Sequence, residues 1–238
     1  MANKQQLDKH GYTVMNDIFT DQETESIIDL IGKADSSSPA FRKSEGLFAI
    51  RQCLKEIPGL QTAVFNKKLV SVLKNLFESD YFMIKSIYFD KPEKSNWFVS
   101  YHQDLTISVD RKVEVAGFNH WTKKQDQFAV QPPIDILKSI YTIRIHLDPT
   151  NEQNGALRVI PGSHINGIRR PETIDLTKEN EVICSVPKGG LMIMRPLLLH
   201  RSCKTTSELQ RRVIHLEFSN TELPPGLGWA ERTGYPVV

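Results

Sequence analysis

The hydrophobic period of the chain changes near residue 80. Before it, apolar positions recur every three or four residues. After it, they alternate or run in short blocks bounded by Gly, Pro and Asn. Gly11 to Phe19 (GYTVMNDIF) predicts a short strand. Thr20-Asp21-Gln22-Glu23 has the form of a capping box, in which a hydroxyl and a carboxylate three residues apart satisfy each other's backbone N–H. A helix therefore opens there and runs to about Ala34, with Ile27, Ile28, Leu30 and Ile31 on its apolar face. The run Asp35 to Pro39 (DSSSP) is a loop by composition. Residues 40–65 show no clear period, and Asn66 then caps a second helix carrying Leu69, Val70, Leu73, Leu76 and Phe77.

Strands are predicted at Tyr81 to Phe89 (YFMIKSIYF), Trp97 to Asp104, Ile140 to Leu147 (IYTIRIHL), Gly155 to Ile160, Val182 to Val186, Leu191 to Met194 and Arg212 to Phe218. Their spacing is too close for βαβ crossovers. Helices first and strands later give a mainly β fold with α: a β-sandwich or jelly roll carrying an N-terminal helical layer. One domain over 1–238 is expected, its jelly-roll core at about 81–219. Leu105 to Ser139 is the longest stretch without clear periodicity and is expected to be a functional lid. The alternative is a pair of added strands, because Ile107 to Val115 alternates weakly. The last twenty residues, rich in Pro and Gly, predict an extended tail packed on the body.

Composition narrows the class. A chain of 238 residues, 39% hydrophobic and 24% charged, supports one large domain with a substantial core. The net charge of +2 and the scattered basic pairs give no nucleic-acid footprint. Cys53, Cys184 and Cys203 are odd in number and lack C-x-x-C spacing, which argues against a disulfide framework and a zinc–thiolate site and fits a reducing, cytoplasmic setting. MANKQQLDKHG has no apolar core and no stretch approaches 18 apolar residues, so neither a signal peptide nor a membrane span is expected.

The candidate chemistry starts in NWFVSYHQD, Asn96 to Asp104. Side chains two apart on a strand share a face, so His102 and Asp104 could reach one point from Cα atoms roughly 6.6 Å apart. The pattern alone is cheap, since this composition yields about 0.4 H-x-D triplets by chance, and His146-Leu147-Asp148 is a second one. A third ligand must come from His10, His120, His164, His200 or His215. His200 stands out at the end of the apolar run Leu191 to Leu199, where a buried strand meets a loop. Arg211 follows at the start of another apolar strand, where a buried guanidinium is costly unless it meets a carboxylate. Two imidazoles and one carboxylate on an octahedral Fe(II) leave room for a bidentate 2-oxoacid and O2. The planar fork of Arg211 suits the far carboxylate of 2-oxoglutarate.

With these residues the chain resembles the phytanoyl-CoA hydroxylase-like Fe(II)/2-oxoglutarate dioxygenases. The resemblance rests on the H-x-D of NWFVSYHQD, on LDPTNEQNGALRVIPGSH (Leu147 to His164) and on HRSCKTTSELQRRVIHLEF (His200 to Phe218), and it spans about Gly11 to Trp229. It implies a double-stranded β-helix core, iron held by His102, Asp104 and His200, and 2-oxoglutarate held by Arg211 and not Arg212. Ser202 resembles a position that hydrogen-bonds 2-oxoglutarate, and Trp121 resembles a lid tryptophan near it. The cofactor set implied is Fe(II), 2-oxoglutarate and O2, with ascorbate as a candidate reductant. The implied reaction hydroxylates an aliphatic C–H of a small-molecule substrate with release of succinate and CO2. Related halogenases lack the carboxylate ligand, so Asp104 speaks for hydroxylation.

On the same resemblance Asp148 shapes a turn, His146 faces the barrel interior or a partner strand, and His164 is a structural loop residue. Gly189-Gly190 departs from the acidic residue common at that turn. Trp97, Phe98, Phe118, Gln103, Gln131 and Arg144 are candidate pocket walls. Two rivals are a cupin-like metal enzyme without 2-oxoglutarate, which has no need of Arg211, and a non-catalytic jelly-roll module, which has no need of the triad.

Overall fold

Alternation along the central strands decides where the helices pack. The computed structural model describes residues 2–35, 37–38, 40–44, 47–77, 80–91, 98–124, 127–170, 172, 174–205 and 207–234. Helix α1 (Ala2–His10), strand β1 (Tyr12–Met15) and helix α2 (Asp21–Gly32) come first. Strands β2 (Phe41–Ser44) and β3 (Leu47–Arg51) and helices α3 (Cys53–Glu56), α4 (Leu60–Val64) and α5 (Lys67–Leu76) follow. Both predicted caps form. Thr20 and Glu23 close the capping box of α2, and the Asn66 carboxamide oxygen accepts from Leu69 N at 2.8 Å. The Asn66 amide also donates to Glu23 at 2.9 Å, tying the start of α5 to the start of α2.

The strands β4 (Phe82–Lys91), β5 (Val99–His102), β6 (Ile107–Val109), β7 (Asn119–Lys124) and β8 (Gln127–Gln131) lead through helix α6 (Ile134–Ser139) to β9 (Tyr141–His146). Then come β10 (Leu157–Val159), β11 (Val182–Cys184), β12 (Leu191–Met194), β13 (His200–Ser202) and β14 (Arg211–Ser219). The major sheet runs β1-β12-β9-β14-β4-β3-β2, the minor sheet β11-β10-β13-β5, and a third small sheet β6-β8-β7. All pairings are antiparallel. The architecture is a double-stranded β-helix with a helical layer on its major sheet. Ile143, Ile145, Ile193, Ile214, Leu216 and Phe218 face that layer and share a core with Ile27, Leu69 and Leu73. On the opposite face, Met192 and Met194 pack against Leu157 and Val159 of the minor sheet, so the two sheets close on each other.

Three expectations change. The unclear region before Asn66 holds two strands and two short helices, and α1 precedes the first predicted strand. Helix α1 (ANKQQLDKH) carries a single strongly apolar residue, the fully buried Leu7, so it has no stripe for periodicity to find. The strand predicted at Leu191 to Met194 forms, but His200 is not where that strand meets a loop: the chain turns at Arg195-Pro196, and His200 opens a strand in the other sheet.

The predicted lid is instead the third sheet plus α6, consistent with the added-strand alternative. Ile107, Ser108 and Val109 are all buried, which hides the period of two in β6. Phe118 is 6% exposed and belongs to this cluster with Trp229, so it packs a core and is not a lid tip. Phe118→Ala is expected to lower the unfolding free energy by about 3–5 kcal/mol, read by urea denaturation. A loss below about 1 kcal/mol would mean that the cluster is not packed. The tail behaves as expected, with Trp229 bridging to Val109 and Thr233 to Met83. No helix among the described residues is long and apolar enough to cross a membrane.

Candidate active site

His102 and His200 are direct partners across the β5–β13 ladder, and a register shift in that ladder lies just beyond them. Bulges of this kind re-aim side chains beside functional sites. The two imidazole centroids lie 4.2 Å apart. His102 Nδ1 donates to Ser100 O at 2.9 Å and His200 Nδ1 donates to Leu198 O at 2.8 Å. Both Nε2 lone pairs are thereby free to coordinate. Asp104 lies just past the end of β5, its N–H held by Pro196 O at 2.9 Å. Its two carboxylate oxygens each stand 3.8 Å from one Nε2, beyond hydrogen-bond reach. The three donor atoms lie within 4.8 Å of one another.

The charges suit a cation. Burial would raise Asp104, but His200, His215, His102 and Lys85 outweigh it and hold the carboxyl at about 2. Burial pushes His200 down to about 4, against the pull of Asp104, so the ring is neutral at pH 7. A carboxylate with two imidazoles is a donor set for a first-row divalent ion such as iron(II).

A second feature faces the same interior. Arg211 is buried; its Nη1 donates to Gly155 O and contacts Ser202 Oγ at 3.5 Å, while its Nε has no partner. Among the described residues no carboxylate lies within ion-pair distance of it. Burial, then the nearby Arg144, push its pKa down to about 9. Fully buried Lys91, its partner across β4–β14, is pushed down to about 8 by burial and then by Arg211. This concentration of positive charge fits a dicarboxylate such as 2-oxoglutarate. Gly155 makes room for it. Its φ is +80°, and a Cβ there would stand 2.9 Å from Lys91 Nζ and from Cys203 O.

The structure also sorts the remaining candidates. Arg212 is taken by Asp148, which accepts from its backbone N–H and Nε at 2.8 Å and from Nη2 at 2.6 Å. Asp148 thus anchors a turn, and Arg211 is the arginine left facing the interior. His146 is buried with Nδ1 against Thr150 Oγ1 at 2.7 Å, and His164 Nε2 donates to Asp8 O at 3.2 Å. Ser202 lies beside Arg211, whereas Trp121 is half-buried on β7 against the cluster of Ile107 and Phe118.

Gln103 is not a free pocket wall. Its amide donates to Gly167 O and Leu197 O and accepts from Arg169 N, pinning a loop beside the triad. Phe98 is 53% exposed and lines a surface cavity with Tyr101, Glu181 and Arg201; Trp97 lies outside the described residues. Lys91 went unnoticed in the sequence because FDKPEK reads as a solvated turn, and only the strand register reveals its partner.

The phytanoyl-CoA dioxygenase family profile matches residues 7–213. A Caenorhabditis briggsae protein described as a phytanoyl-CoA dioxygenase domain-containing protein 1 homolog is 24% identical, over 92% of this chain and 91% of that one. Among solved structures, the non-heme alpha-ketoglutarate-dependent carbocyclase SnoK from nogalamycin biosynthesis superposes with a TM-score of 0.70 at 14% identity, over 93% of this chain and 84% of that one. HygX from Streptomyces hygroscopicus, with nickel, 2-oxoglutarate and hygromycin B bound, gives 0.67 at 15% identity, over 98% and 97%. At such identities the two structures speak for the shared fold.

Proposed function

Since the chain belongs to the phytanoyl-CoA dioxygenase family of iron(II)- and 2-oxoglutarate-dependent oxygenases, we propose that it hydroxylates an aliphatic C–H bond of a small molecule, releasing succinate and CO2. The observation that carries this reading is the convergence of three donors within 4.8 Å beside an uncompensated buried guanidinium. His102, Asp104 and His200 hold iron(II). Arg211, assisted by Ser202, clamps the far carboxylate of 2-oxoglutarate. When bound, iron and cosubstrate supply the oxidising chemistry at the expense of O2.

The chain's own part is positioning. The carbonyls of Ser100 and Leu198 fix the imidazole tautomers, so both Nε2 lone pairs would be available to a metal. Asp104 stays ionised and fills a metal position that a halide would need. Cys53, Cys184 and Cys203 are all free, which fits action in a reducing, cytoplasmic setting. Trp121 is left out of the cosubstrate assignment because its packing partners belong to the third-sheet cluster.

The test is anaerobic addition of Fe(II) and then 2-oxoglutarate, with the visible charge-transfer band as readout. Labelled O2 and a panel of small molecules follow. The expected result is a saturable band requiring both components, and label in succinate and in an alcohol product. Absence of the band would refute the assignment of the site; halide incorporation or ring formation without label in the product would refute hydroxylation.

A further inference from the structure

The major sheet carries, besides Arg211 and Lys91, a third buried cation to which the proposed function gives no role. Arg144 on β9 is 9% exposed and pairs across the ladder with His215 on β14. A chain of contacts holds it. Lys85 Nζ donates to Glu217 at 2.7 Å, and His215 Nε2 donates to the same oxygen at 3.0 Å. His215 Nδ1 therefore accepts from Arg144 Nη1 at 3.2 Å. Glu217 Oε1 takes both Lys85 and His215, and Asp104 acts on Arg144 through space while standing 3.8 Å from the Nε2 atoms of His102 and His200. Among the described residues no carboxylate lies within ion-pair distance of Arg144. Its Nε is buried without a partner, and the Nε–Nη2 edge carries no hydrogen bond among those residues.

The flanking inward side chains of β9 share this condition. Thr142 Oγ1 and His146 Nε2 are likewise buried and unpartnered, so one strand presents three unmet polar atoms in a row. A buried guanidinium without a counter-charge is destabilising unless a ligand supplies one.

On the reading above, 2-oxoglutarate would be held at its far carboxylate by Arg211 and at its other end by the metal that His102, Asp104 and His200 would carry, which leaves the counter-charge of Arg144 to another ligand. Arg144 and Arg211 stand on neighbouring strands, with His215, the cross-strand partner of Arg144, four residues along β14 from Arg211; the two guanidinium groups still act on each other's charge, so the test below has to separate them. Arg144 faces the triad and contributes to the electrostatics of His200, as Asp104 does to its own.

We propose that Arg144 is a specificity-determining residue that binds a carboxylate of the primary substrate through its Nε–Nη2 edge, so that the enzyme acts on small carboxylic acids. This rests on the iron and 2-oxoglutarate reading above. His215, Glu217 and Lys85 are positioning residues that aim the guanidinium before the substrate arrives.

The test uses protein loaded with Ni(II) and saturating 2-oxoglutarate, which is inert to O2, and isothermal titration with acetate, butyrate and benzoate beside their primary amides. At least one acid is expected to bind tenfold or more tighter than its amide. R144Q, which keeps a hydrogen-bonding group toward His215, is expected to reduce that preference to under twofold, and R144K, which keeps charge but not the fork, to restore part of it. The affinity of R144Q for 2-oxoglutarate is expected to stay within fivefold of the parent.

An acid preference that survives in both variants, or no preference in the parent, overturns the proposal. So does a loss of 2-oxoglutarate affinity beyond fivefold, which would assign Arg144 to the cosubstrate. A parent protein that takes up neither Ni(II) nor 2-oxoglutarate refutes the underlying site instead, before any probe is added.

Discussion

His200→Ala is expected to lose metal-dependent turnover of 2-oxoglutarate by about 1,000-fold or more, roughly 4 kcal/mol of transition-state stabilisation. The variant removes one of two nitrogen donors and leaves a void where a buried ring stood. Water can fill that void but cannot reproduce a neutral imidazole held in tautomer by Leu198 O. The strand itself survives, because β13 is held by backbone pairing to β10 and β5. Far-ultraviolet circular dichroism should therefore match the parent while bound iron, measured by elemental analysis, falls. His164→Ala is the control: its ring faces Asp8 and Gly11, away from the triad, and turnover is expected within about twofold. Full activity in His200→Ala would remove it from the metal site.

The second large effect concerns the cosubstrate. Arg211→Lys is expected to raise the Kd for 2-oxoglutarate more than tenfold, above about 1.4 kcal/mol. The charge is retained, but the planar fork that matches a carboxylate is not. Arg212→Lys makes the contrast sharp. That side chain spends its donors on Asp148, so its loss should lower stability and leave the Kd within about twofold. Titration of the charge-transfer band with 2-oxoglutarate reads both variants. The reverse outcome, a large change at Arg212 and none at Arg211, would exchange their roles.

How much of this was legible in the sequence differs by residue. The helices α2 and α5 were clear because caps and apolar stripes are local signals, and Thr20, Glu23 and Asn66 make the contacts their spacing implied. Helix α1 and the third sheet were not, since one is polar nearly all round and the other joins a three-residue strand buried throughout to a polar, largely exposed one. Strand β5 ends at His102, so the H-x-D pair shares a point in space through a turn held by Pro196 and not through a common strand face. The choice between the two H-x-D triplets needed long-range context. Asp148 is committed to Arg212, and His102 meets His200 across a ladder that no local window contains. Gln103 looked like a pocket wall because of its place between two ligands, and its three backbone bonds show that it holds a loop.

The break at Arg195-Pro196 sends β12 into one sheet and β13 into the other. As a result His102 and His200 stand on the minor sheet and Arg211 on the major one. A dicarboxylate held by Arg211 at one end and by the metal site at the other would therefore rivet the two sheets together. Thermodynamic linkage would then make occupancy a stabiliser of the whole barrel, worth about 2.7 kcal/mol at a hundredfold excess over Kd. Cosubstrate supply would thus set the thermal resistance of the fold as well as the rate of its chemistry.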